Sequence, residues 1–247
     1  MKVLINSIWS SLFLFLGLSL FSCKNEVPPN QAASLSGSQQ DHLTRFEEEI
    51  KEFEAADKVR FPPKEAILFT GSSSIRMWKT VAEDMVPLPV INRGFGGSTI
   101  PEVIYYADRI VFPYKPKIIV FYCGENDIQE QTLPQIVFQN FKKFVGMVEE
   151  RLPETKIVYL SMKPSLSRFE KWRVFQTGNR MIEKFAESRE DVLYLDVSET
   201  MLSENEKPDS TIFISDGLHM NQKGYQRWTQ LLKPVLLKLW EKEENLE

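Results

Sequence analysis

The chain has 247 residues, of which 43% are hydrophobic and 26% are charged. These values are typical of a soluble domain with enough apolar mass for one sizeable core. The formal net charge is -4, and no basic run stands out along the chain. A surface of this kind does not attract phosphate backbones, so we do not expect nucleic acid to be a partner.

The first residues differ in composition from the rest of the chain. Lys2 precedes an apolar run that ends at Phe21, and polar residues return after Cys23. This pattern resembles a bacterial lipoprotein signal peptide over residues 1–22, with Cys23 as the lipidated first residue of the mature chain. It predicts export and a lipid anchor on Cys23 in a bacterial membrane. An uncleaved membrane anchor is the alternative, because the run is close to the lower length limit of a spanning helix.

Residues 23–42 are predicted to be a flexible tether, because they are rich in proline, serine, glycine and glutamine and lack apolar periodicity. From 43 to 56, apolar residues recur at helical spacing with acidic residues between them, which predicts a short amphipathic helix at the edge of the domain. The apolar residues are Leu43, Phe46, Ile50 and Phe53. His42 precedes this helix and is interpreted as a solvated linker histidine, since nothing nearby in the sequence could orient it.

Beyond Pro63, apolar β-branched runs alternate with segments of helical periodicity. The runs are at 66–70, 89–92, 117–123, 156–161 and 192–197. One helical face is formed by Leu133, Val137, Phe141, Phe144, Val148 and Leu152. The alternation predicts a parallel sheet covered by helices on both sides. Runs without polar alternation, such as 118–122, fit strands that are buried on both faces.

Polar and glycine residues follow three of the predicted strands, at the sheet edge where reactive groups gather. They are Gly71 to Ser74, Asn92 to Ser98, and Cys123 to Asp127. Asp216 and His219 come just before the last predicted helix. His42 lies in the N-terminal stretch, so His219 is essentially the one base available to a histidine-activated serine. A nucleophile, a base, an orienting acid and oxyanion donors are what acyl transfer needs, and the set indicates a serine hydrolase.

Each of these residues also has a structural interpretation. The serines after Gly71 could cap a helix, and the glycines near Gly97 could simply permit positive φ. Asn126 could be a turn or cap residue, as could Asp216, with His219 bonded to a backbone carbonyl. Gly124 and Asp127 are interpreted as mainly structural, and Cys123 as a small core residue at a strand end. The combination of all the blocks in one chain favours a hydrolytic site.

Four blocks together resemble the signature of the SGNH hydrolases, also called GDSL esterases and lipases. The blocks are Phe69 to Ser73, Asn92 to Ser98, Gly124 to Asp127, and Asp216 to His219. The resemblance covers residues 60 to 240 and implies an α/β fold, a three-layer α/β/α sandwich with a flavodoxin-like parallel sheet, within a domain at 43–247. Ser72 stands where the family usually has aspartate, a position that is not the catalytic acid.

The resemblance also implies roles for individual residues. Ser73 would be the nucleophile, and its backbone N–H would be one oxyanion donor beside the Gly97 N–H and the Asn126 side-chain amide. His219 would move the proton, and Asp216 would orient its imidazole. With one histidine in the domain and no carboxylate-histidine cluster, we expect no metal site, and no cofactor is implied.

The expected reaction is hydrolysis of a carboxylic ester, with short acyl groups such as acetyl removed from an extracytoplasmic substrate. The partner would be a small-molecule or glycan ester. Cations and aromatic residues near the strand ends could hold a hydrophilic leaving group, or could be ordinary surface. They are Arg76, Trp78, Arg93, Lys163, Arg168 and Trp172. The alternatives are a lysophospholipase-like acylhydrolase and a binding lipoprotein without activity.

Overall fold

A computed structural model of the chain describes residues 37–244, and within that range five parallel strands form one sheet. The strands are β1 (Ile67–Gly71), β2 (Val90–Gly94), β3 (Ile118–Tyr122), β4 (Lys156–Leu160) and β5 (Val192–Leu195). Their order across the sheet is β2-β1-β3-β4-β5, which is the order of flavodoxin-like folds. The predicted parallel α/β sheet is confirmed, and each strand falls within one of the predicted apolar runs or extends it by a few residues.

Helices occupy the connections and cover both faces of the sheet. The α-helices are α1 (Gly37–Thr44), α2 (Glu47–Val59), α3 (Ser73–Arg76), α4 (Val81–Asp84), α5 (Ile100–Ile110), α6 (Glu125–Gln129), α7 (Pro134–Arg151), α8 (Trp172–Ala186) and α9 (Gln222–Glu244). Short 3-10 helices lie at Phe112–Tyr114, Leu166–Lys171, Glu199–Met201 and Ser210–Ile212.

Two hydrophobic cores lie on opposite faces of the sheet, which gives the predicted three layers. Leu68 of β1 points into the core shared with α2, α5, α7 and α8. Its neighbours Ile67 and Phe69 point into the core shared with α3, α4 and α9. Because successive strand residues face opposite sides, both sets must be apolar, and this explains the continuous apolar runs. Full burial of each such side chain contributes about 1.5–3 kcal/mol.

The end of β1 requires a glycine. Gly71 has φ of +124°, and a Cβ atom at this position would lie 2.0 Å from the carbonyl oxygen of Tyr122. The next residue, Ser72, donates its N–H to the same oxygen over 2.9 Å. The chain therefore turns sharply against β3, and Ser73 begins α3 at the carboxyl edge of the sheet.

The N-terminal part of the domain differs from the prediction. α1 begins at Gly37, inside the segment 23–42 predicted to be a tether, and the helix predicted over 43–56 is split between α1 and α2. His42 Nε2 lies 3.1 Å from Glu130 Oε2, so this histidine lies on α1 with an orienting partner and not in a linker, although its side chain is exposed as expected. Arg45 bonds Glu102 over 2.5 Å, and these long-range ion pairs fix the helix ends in a way that local sequence could not indicate.

The predicted signal peptide at 1–22, Cys23 and the tether up to residue 36 lie outside the described residues. In the part of the chain that the structure does describe, none of the helices combines the length and the apolar character that a membrane crossing requires.

Candidate active site

Three adjacent serines follow β1, and their environments differ. Ser72 and Ser74 are buried, whereas Ser73 is half-buried. Within residues 37–244, the Ser72 side chain makes no capping hydrogen bond to α3, so capping does not explain this cluster. Ser73 is the first residue of α3, so no carbonyl group of the helix is placed to accept its backbone N–H. Both its hydroxyl and its N–H are thus placed at the sheet edge.

His219 and Asp216 lie in line with the Ser73 hydroxyl. His219 Nε2 is 2.8 Å from Ser73 Oγ, and His219 Nδ1 is 2.6 Å from Asp216 Oδ2. The other carboxylate oxygen, Asp216 Oδ1, accepts the backbone N–H groups of Leu218 and His219 over 2.8 and 2.9 Å. One oxygen of Asp216 therefore shapes the loop while the other orients the imidazole. The structure brings together the three residues that the sequence predicted.

The hydrogen bonds keep Asp216 ionised. Its partial burial alone would raise the pKa, but the bonds from the His219 ring and from the two backbone N–H groups outweigh that effect and lower the pKa of Asp216 to about 2. The carboxylate is therefore charged throughout the neutral range and can stabilise a protonated His219.

The two other predicted oxyanion donors are also neighbours. A Cβ atom built on Gly97 would lie 3.7 Å from Asn126 Nδ2, so this amide faces the loop after β2. Asn126 Nδ2 donates one hydrogen to the carbonyl oxygen of Ser98 over 3.0 Å. An amide nitrogen carries two hydrogens, and the second can be donated to a substrate oxygen.

Arg168 fixes which way the Asn126 amide points. Its Nη1 donates to Asn126 Oδ1 over 3.0 Å, and an arginine can only donate hydrogen bonds. The amide oxygen must therefore face Arg168, and the NH₂ group must face Gly97. Of the cations predicted near the strand ends, Arg168 is thus in contact with a predicted site residue.

The other predicted rim residues have different surroundings. Arg93 is buried and bonds Asp57 over 2.5 Å, and Lys163 is fully buried with its Nζ 3.2 Å from Glu125 Oε2. The expectation that these two cations hold a leaving group is wrong. Their partners are distant in sequence, which is why spacing could not indicate the pairing.

The remaining three residues predicted near the strand ends also differ in their surroundings. Trp78 is buried and stacks on Tyr225 with ring centroids 5.1 Å apart. Arg76 is exposed and lies 3.7 Å from Glu49. Trp172 is half-buried and lines a cavity of about 600 Å³ together with Phe169.

The two acidic residues on either side of Asn126 bond to neighbouring segments of the chain. Glu125 is buried and accepts the Tyr122 hydroxyl over 2.5 Å and the Lys163 N–H over 2.9 Å. Asp127 accepts the N–H of Ile100 at the start of α5 over 3.1 Å, and burial raises the pKa of Asp127 to about 7. Asp127 has the structural contacts that the sequence predicted for it. The role of Glu125 was missed, because its partner Lys163 follows β4, a different strand.

Among the residues that the structure describes, no group of three or more His, Cys, Asp and Glu side chains is arranged to hold a metal ion. Cys123 is buried, as predicted, and its Sγ lies 3.1 Å from the Ser98 carbonyl oxygen.

Comparisons with known proteins place this chain in a family. The sequence model of the GDSL-like Lipase/Acylhydrolase family matches residues 69–227, a range that contains Ser73, Gly97, Asn126, Asp216 and His219. A search of curated proteins finds no match.

Solved structures with the same fold include three from bacteria. A Streptococcus pneumonia protein provisionally named a platelet activating factor has a TM-score of 0.69 and 22% identity, over 81% of this chain and 96% of its own. A GDSL-like lipase from Bacteroides thetaiotaomicron has a TM-score of 0.64 and 20% identity, over 76% and 97%. A Clostridium thermocellum family 3 carbohydrate esterase has a TM-score of 0.55 and 14% identity, over 71% and 98%.

At these identities the structural matches establish the fold alone, and the family match carries the assignment. It spans more than half of the chain, which therefore belongs to the GDSL-like lipase/acylhydrolase family and is a hydrolase of that type.

Proposed function

We propose that this protein is a serine esterase that removes short acyl groups, acetyl above all, from an extracytoplasmic ester, with acetylated carbohydrates as candidate substrates. The observation that carries the proposal is the continuous contact from Asp216 through His219 to Ser73, with distances of 2.6 and 2.8 Å. These are the distances that proton transfer from a serine nucleophile requires.

The reaction follows from the positions of these atoms. Ser73 Oγ attacks the ester carbonyl carbon while its proton passes to His219 Nε2, and Asp216 stabilises the imidazolium that forms. The carbonyl oxygen becomes an oxyanion and receives hydrogen bonds from Ser73 N–H, Gly97 N–H and Asn126 Nδ2. His219 then returns the proton to the departing alcohol, which leaves an acyl-Ser73. A water molecule, deprotonated by His219, releases the carboxylic acid and restores the hydroxyl.

The strand connections support a preference for short acyl groups. In the described residues, α3 and α4 occupy the connection from β1 to β2, α5 with a 3-10 helix follows β2, and α6 with α7 follows β3. The core needs these helices, so these three connections hold no long insertion that could enclose an alkyl chain. A long chain would then stay in water and gain little by binding.

One observation favours a lysophospholipase-like activity as the second candidate. Leu166 and Ile214 are 44% and 39% exposed. Both lie beside the loop of Asp216 and His219. A Cβ atom built on Gly217 would lie 3.1 Å from Leu166 Cβ, and Ile214 N–H donates to the His219 carbonyl oxygen over 2.9 Å. Such aliphatic side chains could contact an acyl tail.

We expect catalytic efficiency to be highest for acetyl among aryl esters of acetyl, butyryl, octanoyl and dodecanoyl groups, because each added methylene remains solvated. Steady-state kcat/KM on this series, followed by acetate release from acetylated saccharides and fatty acid release from lysophosphatidylcholine, tests the expectation.

The Leu166→Ser variant is a matched control for the second candidate. An efficiency that rises by about fourfold for each methylene that leaves water, and that loses this rise in Leu166→Ser, would establish the lysophospholipase reading instead. If acetyl is preferred, Leu166→Ser should leave the whole series unchanged within twofold.

We also propose that the enzyme is exported and anchored in a bacterial membrane through acyl chains on Cys23, on the strength of the apolar run before that residue. The Cys23→Ala variant should incorporate no labelled fatty acid and should keep its signal peptide, because the thiol that accepts the lipid is absent. Metabolic labelling of wild-type and variant cells measures this. Equal incorporation of fatty acid in both proteins would show that the lipid is attached to another residue, and no incorporation in either would exclude a lipid anchor.

A further inference from the structure

The helix α2 lies against the loop that connects β2 to α5, residues 95–99, which we call the oxyanion loop because it contains Gly97. Glu49 of α2 accepts the Gly96 N–H through Oε2 over 3.0 Å. Phe46, the residue before α2, packs its ring edge to face on Phe95 with centroids 5.4 Å apart. The loop is therefore held from outside the sheet by the segment that precedes it by about fifty residues in sequence.

The conformation of Gly96 leaves the oxyanion loop little freedom to pack differently against Phe46. Its φ is +35°, and a Cβ atom there would lie 1.9 Å from Cε1 of the Phe46 ring. The backbone thus approaches the ring as closely as a glycine allows. The bond from the Gly96 N–H to Glu49 fixes the peptide plane between Phe95 and Gly96. The next peptide carries the Gly97 N–H and is joined to that plane through the Gly96 Cα, so a shift of the first peptide displaces the second.

The same carboxylate reaches the helix that begins with Ser73. Arg76, the last residue of α3, has its Nη1 3.7 Å from Glu49 Oε2. Glu49 is 31% exposed and Arg76 is 44% exposed, so this ion pair is weak and screened by solvent. The bond to Gly96 is the stronger link, and the pair with Arg76 keeps the carboxylate beside both segments.

Other ion pairs hold α2 in place along its length. Asp57 accepts from Arg93 at the end of β2 over 2.5 Å. Arg109 of α5 donates to Glu47 and Glu54 over 2.7 Å each. The helix that carries Glu49 is therefore bonded both to the strand before the oxyanion loop and to the helix after it.

We infer that Glu49 is a positioning residue for the oxyanion hole, acting through its bond to the Phe95–Gly96 peptide next to Gly97. The helix α2 thus serves the active site although it precedes the family match, which begins at residue 69. The inference rests on the proposed role of Gly97. Glu49 does not touch the reacting atoms, so its effect is smaller than the loss of a direct donor.

We expect Glu49→Ala to lower kcat by about tenfold with KM within twofold, against the ~10²–10³ expected for Asn126→Ala, which removes a donor itself. Glu49→Gln should keep most of kcat, because an amide oxygen can accept the Gly96 N–H. Glu49→Asp should lose kcat, since its shorter side chain draws the oxygen back. Glu48→Ala is the matched control, because Glu48 is 86% exposed and pairs with Lys51 at the surface.

All variants are measured as the full chain on an acetyl aryl ester, with active sites counted by a fluorophosphonate and with melting temperatures recorded. If Glu49→Ala does not fold, the comparison of Glu49→Asp with Glu49→Gln carries the test. The inference is overturned by an unchanged kcat in Glu49→Ala and Glu49→Asp, by a loss confined to KM, or by equal losses in the Gln and Ala variants. Ser73→Ala in the same series tests the proposed function separately: an inactive Ser73→Ala beside a fully active Glu49→Ala overturns only this inference.

Discussion

Ser73→Ala should lose ester hydrolysis by on the order of 10⁴- to 10⁶-fold in kcat, since the variant has no atom to attack the carbonyl. The expectation rests on geometry, because Ser73 Oγ is the hydroxyl that lies 2.8 Å from His219 Nε2. Residual activity would come from the oxyanion donors and from substrate binding. Steady-state kinetics on an acetyl aryl ester and labelling by a fluorophosphonate both report the loss.

The neighbouring serines are the matched controls for this experiment. Ser72 and Ser74 have the same chemistry but are buried, 3% and 2% exposed. Ser72→Ala and Ser74→Ala should therefore keep probe labelling and turnover within about tenfold. The melting temperature of Ser73→Ala should stay close to that of the wild type, because a half-buried hydroxyl contributes only about one hydrogen bond. Labelling that disappears in Ser72→Ala or Ser74→Ala but persists in Ser73→Ala would show that Ser73 is not the nucleophile.

The fold could be predicted from the sequence because its signals are local. The run at 118–122 is apolar at every position since Ile119 and Phe121 face one core while Val120 faces the other. The helical face of α7 was predicted for the same reason, through Val137 and its periodic neighbours. Leu133 was assigned to that face but is the residue before α7 and is 65% exposed, because periodicity alone does not fix where a helix begins.

The surroundings of the site could not be predicted in the same way, because they depend on partners distant in sequence. Nothing in the local pattern shows that Lys163 meets Glu125, or that Arg168 bonds Asn126. Burial lowers the pKa of Lys163 against the opposing influence of Glu125, and such a lysine supports the fold instead of binding substrate. The blocks that contain Ser73, Gly97 and Asn126 were easier to bring together, since parallel strands end at one edge of the sheet.

His219→Ala and Asp216→Asn should differ in the size of their effect. Without the imidazole no group can take the Ser73 proton, so His219→Ala should lose kcat by about as much as Ser73→Ala. Asp216→Asn keeps the base and keeps an oxygen that can accept the Leu218 and His219 N–H groups. It loses the negative charge and should lower kcat by about 10²- to 10⁴-fold.

Comparing Asp216→Asn with Asp216→Ala separates the electrostatic role of Asp216 from a role in loop structure. With its pKa at about 2, Asp216 is ionised across the measurable range, so no step in the wild-type pH profile of kcat/KM arises from it. Asp216→Asn removes only the charge, whereas Asp216→Ala also removes the acceptor of the Leu218 and His219 N–H groups. If catalysis uses the charge, both variants should lose kcat to a similar extent, and Asp216→Ala alone should have a lower melting temperature. Nearly full kcat in Asp216→Asn, beside a large loss in Asp216→Ala, would leave the residue only its bonds to the loop.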